Sequence, residues 1–225
     1  MNTLKIVAII LGLLLAVSVG FAAIIQMSNM ELKDNLSKTQ EDLSSIQTEL
    51  NQTELILQGE VEKLNNSESF TKTYLNAYGL LLISSNLTNI SMSNYNLAAS
   101  YYDNNNWDNA IYYYTLAKTG DDNESQQDIN CANTFKNATV YTNNTIYQNL
   151  CNAYYNMMMA YYRMDSHRGV KTEYMILACQ AFKNGDYTTG NDNVAKSNVE
   201  LDRSNEELKN ANGYLNEIIN IFKQM

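Results

Sequence analysis

The residue types that could carry chemistry are few in this sequence. The only histidine, His167, stands beside Asp165 and Arg168 in the run RMDSHRG. A histidine beside an aspartate can act as a general base, but it must also reach a nucleophile or a substrate pocket. Ser166 and Gly169 are typical of a helix end, where histidine and arginine interact favourably with the helix dipole. We therefore predict a helix end here and no catalytic residue.

A polar run from Gly120 to Asn130, GDDNESQQDIN, concentrates acidic side chains. An EF-hand calcium loop that began at Asp121 would need glycine at its sixth place and glutamate at its twelfth. Gln126 and Ala132 stand there instead. We predict a solvated loop for this run and no metal site.

The remaining sequence signals argue against an enzyme. Cys131, Cys151 and Cys179 fit no zinc-binding spacing, and are either three small buried side chains or one disulfide and a free thiol. The sequence contains no phosphate-binding glycine loop, nucleophile elbow or dinucleotide fingerprint. Its net charge is −9, with only 15 Lys and Arg, which argues against nucleic acid. We expect no enzymatic activity, no cofactor, and neither a nucleic-acid nor a small-molecule partner.

The N-terminal segment predicts a membrane anchor at residues 6–26. This segment has no charged residue, and about 20 apolar residues in a helix span about 30 Å, the thickness of a bilayer core. Lys5 precedes it, and Glu31 is the first charge after it. The positive-inside rule then places residues 1–5 in the cytoplasm and the rest outside the cell membrane. A cleaved signal peptide is the alternative, because small residues occur near the end of the segment.

Eight Asn-x-Ser/Thr sequons favour an extracellular location, since such sites accept glycans on secreted surfaces. Chance is the alternative explanation in a chain so rich in asparagine. The glycosylation candidates are Asn35, Asn51, Asn65, Asn86, Asn89, Asn123, Asn137 and Asn143.

Leucine recurs at every seventh position of the segment 27–64, which predicts a coiled-coil stalk. The series is Leu36, Leu43, Leu50, Leu57 and Leu64. A second series occurs in residues 194–225, where small residues alternate with large ones. Its large members are Val194, Leu201, Leu208, Leu215 and Phe222. We predict that helix 194–225 folds back antiparallel on the stalk; self-association of separate chains is the alternative.

The segment between the two series, residues 65–193, predicts a helical head. The chain has no proline and 9 glycines, which favours long helices over many short strands. Turns are expected at Asn104–Asn106 and at Asn184–Gly185, because asparagine and glycine accept left-handed backbone angles. The fold class is therefore all-α, with an anchor, a stalk paired with the C-terminal helix, and a head.

One pattern of small and aromatic residues spans the first of these turns. It comprises Leu97, Ala98, Tyr101, Trp107, Ala110, Tyr114 and Ala117. The spacing resembles the tetratricopeptide repeat over about 34 residues, and implies a helical hairpin that binds proteins or peptides. One such unit is too few for a repeat array, which needs at least about three.

Paired tyrosines are the other unusual feature. In each pair one ring can face the core while the next points away, so Tyr102 and Tyr113 are either core residues or parts of a binding face.

We expect the protein to be a membrane-anchored, extracytoplasmic interaction or structural module that is a subunit of a surface or envelope assembly. Its expected partners are the membrane and either another protein or a second copy of the chain. The alternatives are a filament or surface-layer subunit assembled through coiled coils, and a sensor-type ligand-binding bundle that acts with a partner.

Overall fold

The chain folds into helices and short connections. The structure is a computed structural model that describes the backbone of residues 3–224 and the side chains of Gln26 and residues 30–224. Its elements are α1 (Thr3–Asp103), α2 (Trp107–Ala138), a 3₁₀ turn (Thr139–Tyr141), α3 (Thr145–Lys183) and α4 (Tyr187–Phe222). The all-α prediction is confirmed, since residues 3–224 contain no strand.

The anchor predicted at residues 6–26 lies outside the residues whose side chains are described, apart from Gln26. Within the described residues, we find no helical stretch that is both long and apolar enough to cross a bilayer. The predicted orientation with the N-terminus in the cytoplasm therefore stays a prediction.

The chain divides into two compact units, Met1–Glu62 and Lys63–Met225. In the first unit the leucine series is open to solvent, with each side chain between 55% and 63% exposed for Leu36, Leu43, Leu50 and Leu57. Some polar side chains of this unit form hydrogen bonds within their own helix. The hydroxyl groups of Thr39 and Thr53, for example, donate to the backbone carbonyl oxygen four residues earlier. The coiled coil itself stays a prediction.

In the second unit, the turn between α1 and α2 lies where it was predicted. Asn105 has φ +57°, a left-handed angle that asparagine tolerates. The Asn106 side chain then caps α2 by accepting a hydrogen bond from the backbone N–H of Asn109. The prediction of a turn at Asn104–Asn106 is confirmed.

The turn between α3 and α4 also lies as predicted. Gly185 has φ +77°, which a residue with a Cβ rarely adopts. The Asp186 side chain caps α4 by accepting from the backbone N–H of Thr189 at 3.0 Å. The final helix therefore begins at Tyr187, several residues before the predicted heptad series.

Two apolar clusters hold the second unit together. In the first, the ring of Phe135 stacks on that of Tyr154 with 4.5 Å between centroids, and Ile218 of α4 joins the cluster. In the second, Ala98 of α1 and Tyr114 of α2 are buried together. These last two belong to the tetratricopeptide-like pattern; the small side chain lets the helices approach while the ring fills the space beside it. The resemblance to that family stays a prediction.

Two predicted breaks are wrong. Residues 120–130, expected as a loop, lie within α2, and residues 163–169, expected as a helix end, lie within α3. Gly120 does not interrupt α2; it lies where a Cβ would come 2.9 Å from the Cβ of Ser91, so glycine permits the close approach of α1 and α2. The three buried acidic side chains of the supposed loop, Asp121, Glu124 and Asp128, accept hydrogen bonds from α1 in place of water.

The helix α4 packs against α3, and it buries its row of small side chains rather than its row of leucines. The buried row is Ser197, Ser204, Ala211 and Ile218. The other row is partly exposed, between 38% and 49%, and consists of Leu201, Leu208, Leu215 and Phe222. Pairing of this helix with residues 27–64 stays a prediction.

Candidate functional site

Three hydroxyl groups of α1 donate hydrogen bonds to three carboxyl groups of α2. The pairs are Ser84 with Asp128, Thr88 with Glu124, and Ser91 with Asp121. Successive members on each helix are three or four residues apart, so they lie on one helical face. All of these side chains except that of Thr88 are buried. We call this arrangement the hydroxyl–carboxyl ladder.

A single guanidinium, that of Arg168 on α3, serves the carboxyl groups around the ladder. Its Nη1 donates to Oδ1 of Asp165 at 2.9 Å. Its Nη2 lies 3.3 Å from Oδ1 of Asp121, and Nη1 lies 3.8 Å from Oε2 of Glu124. One positive charge therefore faces three carboxyl groups, which leaves an excess of acidic groups in a buried region.

Burial raises the pKa of these carboxyl groups. The pKa of Glu124 rises to about 8 because the group is buried, and the charge of Asp165 adds to the effect. Burial also raises the pKa of Asp121, although the Arg168 charge opposes the shift. Glu124 therefore carries a proton at neutral pH.

Asp128 and Asp165 form an acid pair. Burial raises the pKa of both, and because two neighbouring buried carboxyl groups do not readily ionise together, one of them holds a proton that the pair shares. Neither residue lines the cavity described below. The pair is therefore an internal proton-sharing contact between α2 and α3.

Among the described residues, three buried side-chain oxygens have no hydrogen-bond partner. They are Oε2 of Glu124, Oδ2 of Asp128 and Oδ2 of Asp165. The shared proton accounts for the two aspartate oxygens. It does not account for Glu124, whose Oε2 is 3.8 Å from Arg168 Nη1, too far for a hydrogen bond.

A cavity of about 720 Å³ lies among the four helices of the second unit, and Glu124 lines it. The volume falls within the roughly 300–1,000 Å³ that is usual for ligand pockets. Asn89 and Asn205 line it and are also exposed to solvent. Its wall is mostly apolar, and includes Leu81, Met92, Met157, Met158, Leu208 and Leu215. The methionines make this wall adaptable in shape.

Lys171 adds a cation to the same cavity. Its Nζ lies 3.7 Å from the centroid of the Tyr95 ring, a cation–π contact. Burial lowers the pKa of Lys171 to about 8, and the charge of Arg168 adds to this. Within the part of the chain that the structure describes, Lys171 makes no ion pair with a carboxylate.

His167 does not belong to this cavity. Its Nδ1 lies 2.7 Å from Oε2 of Glu200, which also accepts from Arg203 at 2.6 Å. The two contacts use different oxygens, since Arg203 donates to Oε1 of Glu200. The histidine thus links α3 to α4. Cys131, Cys151 and Cys179 are free thiols and buried, as expected for small core side chains.

The predicted glycosylation sites are all accessible. The eight asparagines of the sequons are exposed, and Asn89 among them also lines the cavity. Their occupancy stays a prediction.

The interface candidates lie in different surroundings. Leu64 is 69% exposed, like the rest of its series. Leu201, Leu208 and Leu215 line the cavity. Tyr102 and Tyr113 are half-buried against the second apolar cluster, and Tyr102 packs against Trp107 at 5.5 Å between ring centroids.

The residues that make the site were not predicted from the sequence. Asp121, Glu124 and Asp128 are spaced by three and four positions, and so are Ser84, Thr88 and Ser91. Each set is the pattern of one helical face, but a polar face is ordinarily solvated. The signal that could have revealed the site was that the hydroxyl residues of one helix and the acidic residues of the next have matching spacing.

The described residues contain no group of three Asp, Glu, His or Cys side chains placed to hold a metal ion together. The site is therefore a mostly apolar cavity whose lining also includes two carboxyl groups, Asp121 and Glu124, and two cations, Arg168 and Lys171. Comparison with known proteins finds no family model that matches the chain, no curated protein that matches its sequence and no solved structure that matches its fold.

Proposed function

We propose that residues 63–225 form a non-enzymatic module that binds a small organic ligand in the central cavity. The observation that carries this proposal is the cavity itself, about 720 Å³ in volume and lined by all four helices. Its wall combines apolar side chains with a few polar groups, notably Glu124 and Lys171, as ligand sites commonly do. The proposal departs from the expectation of no small-molecule partner, which rested on the lack of a sequence motif; a cavity depends instead on helix packing.

A non-enzymatic role is supported by the position of the Asp128–Asp165 pair and of His167, the only histidine of the sequence. The Asp128–Asp165 pair does not line the cavity, and His167 is bonded to Glu200. A general acid or base must reach its substrate directly or through one water. Glu124 and Lys171 do line the cavity, and within this proposal they bind the ligand.

We propose further that this module lies outside the cell membrane. This location follows from the predicted anchor at residues 6–26 and the predicted stalk at residues 27–64. The exposed sequons support that location, since glycans need solvent-facing asparagines. The module then acts as the sensor-type or interaction part of a surface protein.

A thermal-shift experiment with a neutral probe tests the cavity. The full-length chain in lipid nanodiscs is heated with and without 1-hexanol. We expect hexanol to raise the unfolding temperature, because it binds only the folded state. Ser85→Trp, which fills the cavity from its wall, should remove the effect, whereas Ser93→Trp on the exposed face of α1 should retain it. Lipid partitioning is the same for every variant.

The proposal fails if hexanol, hexylammonium and hexanoate all leave the unfolding temperature unchanged. It also fails if Ser85→Trp and Ser93→Trp respond alike. Either result would show that the cavity does not hold the probe.

Assembly through the leucine series is a second candidate function, favoured by one observation. The five leucines from Leu36 to Leu64 are between 55% and 69% exposed, although burying one leucine contributes about 1.5–3 kcal/mol. A second copy of the chain is the simplest partner for such a seam. Light scattering of the full-length chain tests this: a dimer or trimer supports assembly, and a monomer contradicts it.

A further inference from the structure

We infer that the ligand of the central cavity is an organic cation, an ammonium group attached to an apolar body, whose charge is bound by Oε2 of Glu124. This inference rests on the proposed ligand-binding function and gives the chemical class of the ligand. It places the ammonium at the carboxyl group and the hydrocarbon against the methionine and leucine wall.

The first support is the environment of Glu124. The residue is only 2% exposed, and it lines the cavity. Its Oε1 accepts the hydroxyl proton of Thr88, whereas Oε2 has no hydrogen-bond partner. A buried oxygen without a partner is rare in folded proteins and calls for an explanation. A donor supplied by the ligand satisfies it.

The second support is the local charge. Arg168 Nη1 is 3.8 Å from Glu124 Oε2, but it donates to Asp165 at 2.9 Å, and Nη2 lies 3.3 Å from Asp121. The guanidinium is therefore shared and does not satisfy Glu124. Lys171 faces the Tyr95 ring at 3.7 Å rather than a carboxylate. The proton shared by Asp128 and Asp165 removes one negative charge from this region. An ionised Glu124 would still have no cation of its own to balance its charge.

The third support separates an organic cation from a metal ion. No three acidic, histidine or cysteine side chains in the described part of the chain are placed as metal ligands. Hard metal ions bind several oxygens together. Of the two carboxyl groups that line the cavity, Asp121 already contacts Ser91 and Arg168, so it is Glu124 that offers an unpaired oxygen to an alkylammonium. The methionine side chains Met92 and Met157 supply such a wall.

Proton linkage gives the inference a specific signature. Burial raises the pKa of Glu124 to about 8, so the free protein holds a proton there at neutral pH. An alkylammonium, like a lysine side chain, stays charged up to about pH 10. Binding of the cation therefore expels the Glu124 proton. The dissociation constant should fall by about tenfold per pH unit between pH 6 and pH 8 and level off above.

The test compares hexylammonium, 1-hexanol and hexanoate on the full-length chain in nanodiscs by titration calorimetry. At pH 8, we expect hexylammonium to bind more tightly than 1-hexanol or hexanoate. Glu124→Gln keeps the shape of the side chain and removes its charge; it should weaken hexylammonium about tenfold or more and abolish the pH dependence. The dissociation constants of hexanol for this variant and for the wild type should agree within about twofold. Glu206→Gln, an exposed position on α4, is the matched control and should behave as wild type.

The possible failures are distinct. If hexanol binds and Ser85→Trp prevents it, but hexanoate binds at least as tightly as hexylammonium, the cation inference is wrong and the ligand-binding function stands. The same holds if Glu124→Gln leaves hexylammonium unaffected. If none of the three probes binds, both the inference and the proposed function are wrong.

Discussion

The Ser91 hydroxyl of α1 donates to the Asp121 carboxyl of α2, and the two side chains are almost completely shielded from water. The same oxygen of Ser91 lies 3.0 Å from the carbonyl oxygen of Ala117. This contact joins two helices where Gly120 lets them approach closely. It also forms the end of the hydroxyl–carboxyl ladder, the polar feature on which the site is built.

The Ser91 contact should contribute measurably to stability. Ser91→Ala leaves a buried oxygen of Asp121 short of one donor, so we expect the free energy of unfolding to fall by about 1–3 kcal/mol. Urea denaturation at pH 7, followed by circular dichroism, measures this. Ser93→Ala on the exposed face of the same helix is the control and should change it by less than about 0.5 kcal/mol. An equal effect of the two substitutions would contradict a structural role for the ladder.

The raised pKa of Glu124 should make the unliganded protein less stable as pH rises. The folded state keeps the proton up to about pH 8, whereas the unfolded state loses it near the ordinary value of 4.5. Between these values the folded state binds more protons, so the stabilisation present below pH 4.5 is lost as pH rises to 8. The steepest slope from one such group is about 1.4 kcal/mol per pH unit.

Urea unfolding between pH 5 and pH 8 checks this slope. Glu124→Gln should flatten it, although the Asp128–Asp165 pair contributes in the same direction. Lys171 has a lowered pKa of about 8, so its opposite effect on stability develops above this range. If the variant and the wild type had parallel slopes, Glu124 would not hold a proton in the folded state.

The half-buried tyrosines should behave as core residues. Tyr102 lies against Trp107 and Phe182, with ring centroids 5.5 Å and 6.1 Å away. Tyr113 stacks on Tyr101 at 5.4 Å. Replacing either Tyr102 or Tyr113 with serine removes these contacts, and should lower the melting temperature by about 3–8 °C.

The neighbouring Tyr112 provides a matched control for those substitutions. Its side chain is 58% exposed, so Tyr112→Ser should lower the melting temperature by less than about 2 °C. Differential scanning calorimetry compares the three variants. If Tyr102→Ser kept the wild-type melting temperature but no longer bound a protein partner, Tyr102 would belong to a binding face and not to the core.

The leucine series should determine any self-association of the first unit. Leu43→Glu places a charge in the middle of the exposed series, which opposes burial of that seam against a second copy. We expect light scattering to show a fall from oligomer to monomer. Thr48→Glu adds the same charge outside the leucine positions and should leave the oligomer intact. If the two variants had the same mass, the leucines would not form the interface.

The sequence alone determined two of the turns between helices in the second unit. Asn104–Asn106 and Gly185 supply the left-handed angles and caps that a helical turn needs, so local chemistry was sufficient to locate both turns. The lack of proline likewise predicted long helices. These features depend on a few neighbouring residues, which is why a local pattern reveals them.

Only the tertiary structure decided which helical faces became the interior. Glu124 lies in a polar run that suggests solvent, yet it is buried because Thr88, 36 residues earlier, supplies its partner. Likewise, α4 buries its small row, including Ala211, and leaves Leu208 at the cavity. Burial of a polar or small side chain depends on the residues opposite it, and those come from helices distant in sequence. Helical periodicity identifies a face, whereas packing between helices determines what that face contacts and where a cavity remains.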